Sequence, residues 1–219
     1  MKKIFSCLLV LSVLIMSQSC KKDKDDNDDS NALGGNQSSM GVVGTHVSST
    51  MIDVEGVSNL DATVVSLADG VSSYDGSCTV TNATIKNILS NIPGITINGD
   101  NVTATGFKFK STTEGVESFV GLAPGILVKY SSSTGDTYPV GSTGRTRTVT
   151  HVSTTNDYEY GIYMIKVVKV EEPTSSLKSM GVNKITYWAN HKFGLVGIQF
   201  DLTDGTTANF PVYTSAENK

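Results

Sequence analysis

The stretch KITYWANHKFGLVGIQFDLTDGTTANFPVY, residues 184–213, decides how the rest of the chain is read. It contains three apolar-rich segments, Lys184 to Trp188, Leu195 to Leu202 and Thr207 to Tyr213, each bounded by turn residues. Alternation with a period of two and short β-branched or aromatic runs belong to strands rather than helices. Asn190-His191 turns the chain after the first segment. Asp204-Gly205 turns it after the second, because both residues tolerate positive φ. The expectation is a three-stranded antiparallel meander.

Upstream of it the same signals recur. Leu60 to Leu67, Val102 to Lys110, Ile126 to Tyr130, Thr146 to Val152 and Tyr160 to Val170 read as further strands, and Ser77 to Thr81 reads as a strand leading into the next element. Asn98-Gly99 marks a hairpin between Ile95-Thr96-Ile97 and Val102-Thr103-Ala104. One helix stands out, since Ile85, Ile88, Leu89 and Ile92 recur at i, i+3, i+4 and i+7 and so share one face. Asn82 or Thr81 caps its start and Pro93-Gly94 stops it. An apolar stripe on a lone helix among strands packs across a sheet or closes the end of a barrel. The fold class is therefore all-β, an antiparallel β-sandwich or barrel with one short helix. A barrel offers an internal ligand cavity, whereas a sandwich pushes binding to loops and outer faces. Spacing does not separate them, and the sandwich is the working expectation.

The first thirty residues are of another kind. Met1-Lys2-Lys3 is positive, and Ile4 to Met16 is an apolar run broken only by small residues. It is shorter than the roughly 20 residues a spanning helix needs, so it reads as a secretory segment removed in the mature protein. Small Ser17 and Ser19 precede Cys20, which is followed at once by Lys21-Lys22-Asp23-Lys24-Asp25-Asp26. This arrangement resembles the leader of Bacteroidetes surface lipoproteins, although Ser17 stands where the usual pattern carries Leu, Val or Ile. The resemblance implies that Cys20 is acylated and becomes the N-terminus, and that Lys24, Asp25 and Asp26 are an export signal to the outer leaflet. The implied location is the outer membrane, lipid-anchored and exposed at the cell surface. The alternating acids and amide Asp23, Asp25, Asn27 and Asp29 do not make a calcium loop, because Asp28 stands where the loop needs Gly. Residues 20–39 read as anchor and flexible acidic linker, and residues 40–219 as a single β-rich domain.

Loss of residues 1–19 takes two lysines and leaves 15 basic against 21 acidic residues, a net charge of -6. That balance argues against nucleic acid, whose phosphates need clustered Lys and Arg. Arg145 and Arg147 are the only arginines. With Cys20 carrying lipid, Cys78 stands alone, so no disulfide within the chain supports the fold and the thiol reads as a small buried hydrophobe.

Chemistry is sparse. There is no Gly-x-Ser-x-Gly, His-Glu-x-x-His, Cys-x-x-Cys, phosphate loop or dinucleotide fingerprint, so no motif speaks for an enzyme and no cofactor is implied. His46, His151 and His191 lie on separate segments, and only the fold can gather them for a metal or haem. Glu171-Glu172 ends a strand before Pro173 and reads as a solvated turn. The Gly/Ser loops around Tyr138-Pro139 read as surface loops. Tyr158, Tyr160 and Tyr163 with Trp188 are the candidate ligand contacts, because sugar rings stack on such side chains. The expectation is a lipid-anchored surface protein that binds a glycan or similar nutrient for an outer-membrane protein partner. The alternatives are a structural or adhesive, fimbrillin-like subunit and a lipocalin-like or haem carrier.

Overall fold

The computed structural model describes residues 33–49, 55–119, 124–173 and 175–215. Cys20, Lys24, Asp25 and Asp26 lie outside the described residues. Among the described residues sixteen strands follow in chain order. They are β1 (His46–Ser48), β2 (Val57–Ala68), β3 (Val71–Val80), β4 (Ile95–Asn98), β5 (Asn101–Ser111), β6 (Gly115–Ser118), β7 (Gly125–Lys129) and β8 (Thr137–Pro139). Then come β9 (Thr146–Val152), β10 (Tyr158–Tyr160), β11 (Tyr163–Ile165), β12 (Val168–Pro173), β13 (Val182–Asn190), β14 (Gly194–Leu202), β15 (Thr207–Pro211) and β16 (Tyr213–Ser215). The helix α1 (Ala83–Ser90) sits between β3 and β4.

The strands form two large antiparallel sheets and a hairpin. One sheet runs β16-β1-β2-β3-β5-β6-β7, with β4 sharing an edge of β5. The other runs β15-β14-β13-β12-β9-β8, and β10 pairs only with β11. The expected meander is β13-β14-β15, joined by the turns read at Asn190 and Asp204-Gly205. The Asn190 side chain accepts from the backbone N–H groups of Lys192 and Phe193, and that of Asp204 accepts from Thr206. These short polar side chains replace backbone partners in the turn. The third strand differs from expectation, because it breaks at Val212. Pro211 cannot donate to a ladder and ends β15, and the chain passes to β1 of the other sheet as β16. One corner of the molecule is therefore continuous, and the sheets curl into a half-barrel.

Curling has local causes. The β3–β5 pairing slips between Tyr74 and Gly76, opposite Gly106, which holds φ 70° and donates its N–H to Asp75. A bulge of this kind bends the strand and increases its twist, and glycine adopts the conformation without the steric cost other residues meet. A second slip separates Val64 from Ser66 on β2.

Two expectations change. Tyr160 to Val170 is not one strand, since Gly161-Ile162 forms the tight turn of the β10–β11 hairpin and β12 begins at Val168. The chain also joins the fold before Met40. Leu33 is only 1% exposed, and Gln37 bridges Thr112, so this part of the stretch read as linker is packed.

The helix behaves as its stripe predicts. Asn82 caps it, its side-chain oxygen accepting from the Ile85 N–H at 3.1 Å. Ile85 and Ile88 are buried, and the helix closes one end of the space between the sheets. Each such side chain contributes about 1.5–3 kcal/mol when fully buried.

Candidate functional site

The inner faces of the two sheets meet in different ways along their length. Around β6, β7, β9, β12 and β13 they interdigitate, with Val116, Leu127, Val149, Val170, Ile185 and Tyr187 packed in one cluster. Between β2, β3 and β5 on one side and β14 on the other they stand apart and enclose a cavity of about 310 Å³. Leu60 and Ala62 from β2, Cys78 from β3, Ala104, Phe107 and Phe109 from β5, and Leu195 and Ile198 from β14 line it. Leu89 of α1 and Ile95 of β4 close one end, and Met40 and Phe193 contribute further wall. The small side chains Ala62, Gly76 and Ala104 lie on adjacent strands, opposite one another in register, so the concave face lacks bulk there. That local choice of residues, on a sheet bent by bulges, makes the hollow.

The wall is overwhelmingly apolar, and its polar atoms are neutral. Tyr74 stands edge-on to Phe109, with ring centroids 5.6 Å apart, and its hydroxyl donates to the Met40 carbonyl at 3.3 Å. Burial pushes the Tyr74 phenol up to about 12, partly offset by hydrogen bonds from Ser111 and Ser72, so it remains a donor at neutral pH. Burial likewise pushes the Cys78 thiol up, which keeps it neutral and a poor nucleophile. This agrees with its reading as a small hydrophobe, but its side chain faces the cavity and is not sealed in a core.

The residues picked from sequence fall elsewhere. Tyr158, Tyr160 and Trp188 come together, but as packing on the outside of the β13–β14 pair. Tyr158 lies 5.7 Å from Trp188 between ring centroids, and Lys169 sits 5.8 Å from the same indole. Gly197 permits this approach, since a Cβ there would collide with the Tyr158 hydroxyl. Tyr160 contacts Phe193 and Tyr213, each at 5.1 Å. Tyr163 is not in the cluster. It projects from the hairpin at 63% exposure beside Ile162 and Met164. The rings thus serve as a small second core that seats the hairpin.

The histidines do not meet. His46 contacts Thr63, His151 pairs with Asp157 on an exposed surface, and His191 lies in an exposed turn. Among the described residues none of them lines the cavity.

Glu172 overturns its reading as a solvated turn residue. It and Arg147 are both completely buried, paired at 2.9 Å, while Arg145 reaches the other carboxylate oxygen at 2.7 Å. Arg147 also donates to the carbonyls of Ile126 and Pro124 on the edge of β7, at 2.7 and 3.3 Å. At this corner no strand ladder joins the sheets, and the guanidinium satisfies the carbonyls that another strand would have bonded. Tyr138, read between loops, is also core, its hydroxyl bonded to Ser132.

Sequence reasoning missed the cavity residues as a set. Phe107-Lys108-Phe109 does show one apolar face, with Lys108 exposed on the other. The alternation says which face turns inward, and not that the space before it is left unfilled. No family model, no curated protein and no solved structure matches this chain.

Proposed function

We propose that this protein is a lipid-anchored, surface-exposed carrier that holds an apolar ligand between its two sheets. One observation supports the reading above others: a cavity of about 310 Å³ walled by Leu60, Ala104, Phe107, Phe109, Leu195 and Ile198. Ligand sites are typically concave, mostly apolar and supplied with a few fixed polar groups, starting near 300 Å³. A sealed void of this size would forfeit several kcal/mol at roughly 24 cal/mol per Å³, so a fold that keeps it open holds something there or hydrates it. The leader supplies the address and the cavity the cargo. The glycan reading fits less well, because Tyr158 and Lys169 already pack against Trp188.

The test is a fluorescence titration of residues 30–219 with the neutral apolar probe 1-aminoanthracene. Saturable one-site binding is expected in the wild type. In Ala104→Trp, whose indole fills the cavity, binding is lost while the melting temperature stays within a few degrees. An absence of saturable binding to the wild type, or equal binding to both proteins, would sink the proposal.

A further inference from the structure

We infer that the ligand of this cavity is an uncharged lipid, a hydrocarbon chain or ring system bearing a single hydroxyl, carbonyl or ester group, and not a fatty-acid anion. The inference rests on the carrier reading and narrows it to a chemical class.

It stands first on the lining. Among the described residues that face the cavity there is no Lys, Arg, His, Asp or Glu. An ionised carboxylate drawn from water into such a space without a partner is expensive, and protein cavities that accept one provide a cation or a set of N–H donors. Lys192 is exposed, packs over the outside of the Phe193 ring at 5.2 Å and does not line the cavity, and the other cations that come near are committed elsewhere. Both arginines bind Glu172, within the packed half of the interior. Lys108 and Lys110 lie on β5 but alternate with Phe107 and Phe109, so they project from the opposite face. Lys110 donates to the Leu33 carbonyl at 2.6 Å. His46 is exposed beside Val47, the residue of β1 that does line the cavity.

The polar groups that remain fit a neutral head group. Tyr74, Ser111 and Thr214 place hydroxyls on the wall. Hydroxyls donate and accept, which suits an alcohol, ketone or ester, and they bring no net charge to balance an anion. The raised phenol of Tyr74 and thiol of Cys78 report the same low-dielectric surroundings, in which any charged form is disfavoured. Size sets the second limit. About 310 Å³ corresponds to roughly ten water-sized groups, so a medium-length chain or a small ring system fills it and a diacyl lipid does not.

The experiment displaces bound 1-aminoanthracene from residues 30–219 at pH 8 with three ligands of one chain length, the neutral two below their solubility limits and the carboxylate below its micelle concentration. They are 1-dodecanol, methyl dodecanoate and dodecanoate. Dodecanol and the ester are expected to displace the probe at concentrations roughly 100-fold lower than the carboxylate. Dodecanoate acting as well as dodecanol would overturn the inference and leave the carrier reading standing. Displacement by none of the three, with the probe itself not bound, would overturn the carrier reading beneath it. Dodecanol displacing equally from Ala104→Trp would place binding outside the cavity and overturn both.

Discussion

The two halves of the interior are built from the same alternation of inward apolar side chains, yet one is filled and the other is hollow. In the filled half Leu127, Val149, Val170 and Ile185 are buried to a few per cent and pack against both sheets. In the hollow half Leu60, Phe107, Leu195 and Ile198 point inward just as consistently, but stay only partly buried because they face open space. The difference lies in what stands across from them. In the filled half strands β6 and β7 are drawn in by Arg147; in the hollow half the sheet is bent away at Gly106 and sets the small residues Ala62, Gly76 and Ala104 side by side. Stability and binding are thereby assigned to separate ends of one core.

The sharpest way to break this comparison is at the charge pair. Glu172→Ala leaves Arg147 buried without its carboxylate and is expected to cost about 3–5 kcal/mol, read as a drop in the urea midpoint. A loss below about 1 kcal/mol would mean that the seam does not hold the filled half together.

A matched pair of truncations sharpens it next. Leu127→Ala, in the filled half, should cost about 2–5 kcal/mol, whereas Leu60→Ala enlarges a space that is already open and should cost well under half as much. Equal costs in chemical denaturation would show that the cavity is closed in solution.

The outer aromatic cluster provides a smaller effect. Trp188→Ala should lose about 1–3 kcal/mol, less than a fully buried indole, by loosening the β10–β11 hairpin, while 1-aminoanthracene binding stays unchanged. Loss of probe binding without loss of stability would move the site to the outer face.

The smallest effect is electrostatic. Burial pulls the Glu171 carboxyl up, but the hydrogen bonds and charges of Lys169 and Lys184 outweigh it and hold the group below the usual carboxylate range. Its folded form thus titrates below its unfolded form. The stability it adds is fully present above the ordinary carboxylate range and is lost as pH falls from that range through the lower value of the folded form. The contribution is under about 1 kcal/mol and screened by salt. Urea midpoints of wild type and Glu171→Gln should therefore differ at pH 7 in low salt and converge at pH 3. A gap that widens on acidification would reverse the sign.

Much of this architecture is legible in the sequence and some of it is not, for physical reasons. The meander and the helix could be read because their signals are local: two-residue alternation, turn chemistry at Asp204-Gly205, and a stripe at helical spacing capped by Asn82. The first half of β3, Val71-Ser72-Ser73-Tyr74, is too polar to announce a strand and becomes one through pairing with β2 and β5. Gly161 hides a turn inside the run read as one strand, and Ile162 is 91% exposed at its tip. Glu172 reads as solvent-facing because Glu usually is, and only the fold brings Arg147 to it from 25 residues away. The cavity is the least legible feature, since it depends on which inward faces are not met by a neighbour, and no periodicity encodes an absence.

The most direct test of the half-filled core is a methyl-resolved NMR titration of residues 30–219 with 1-dodecanol. Saturable shifts are expected at methyls of the cavity wall, Leu60, Leu89, Ile95, Leu195 and Ile198 among them, with Leu127, Val149, Val170 and Ile185 unmoved. Shifts spread through the filled half, or confined to the surface around Trp188, would contradict it.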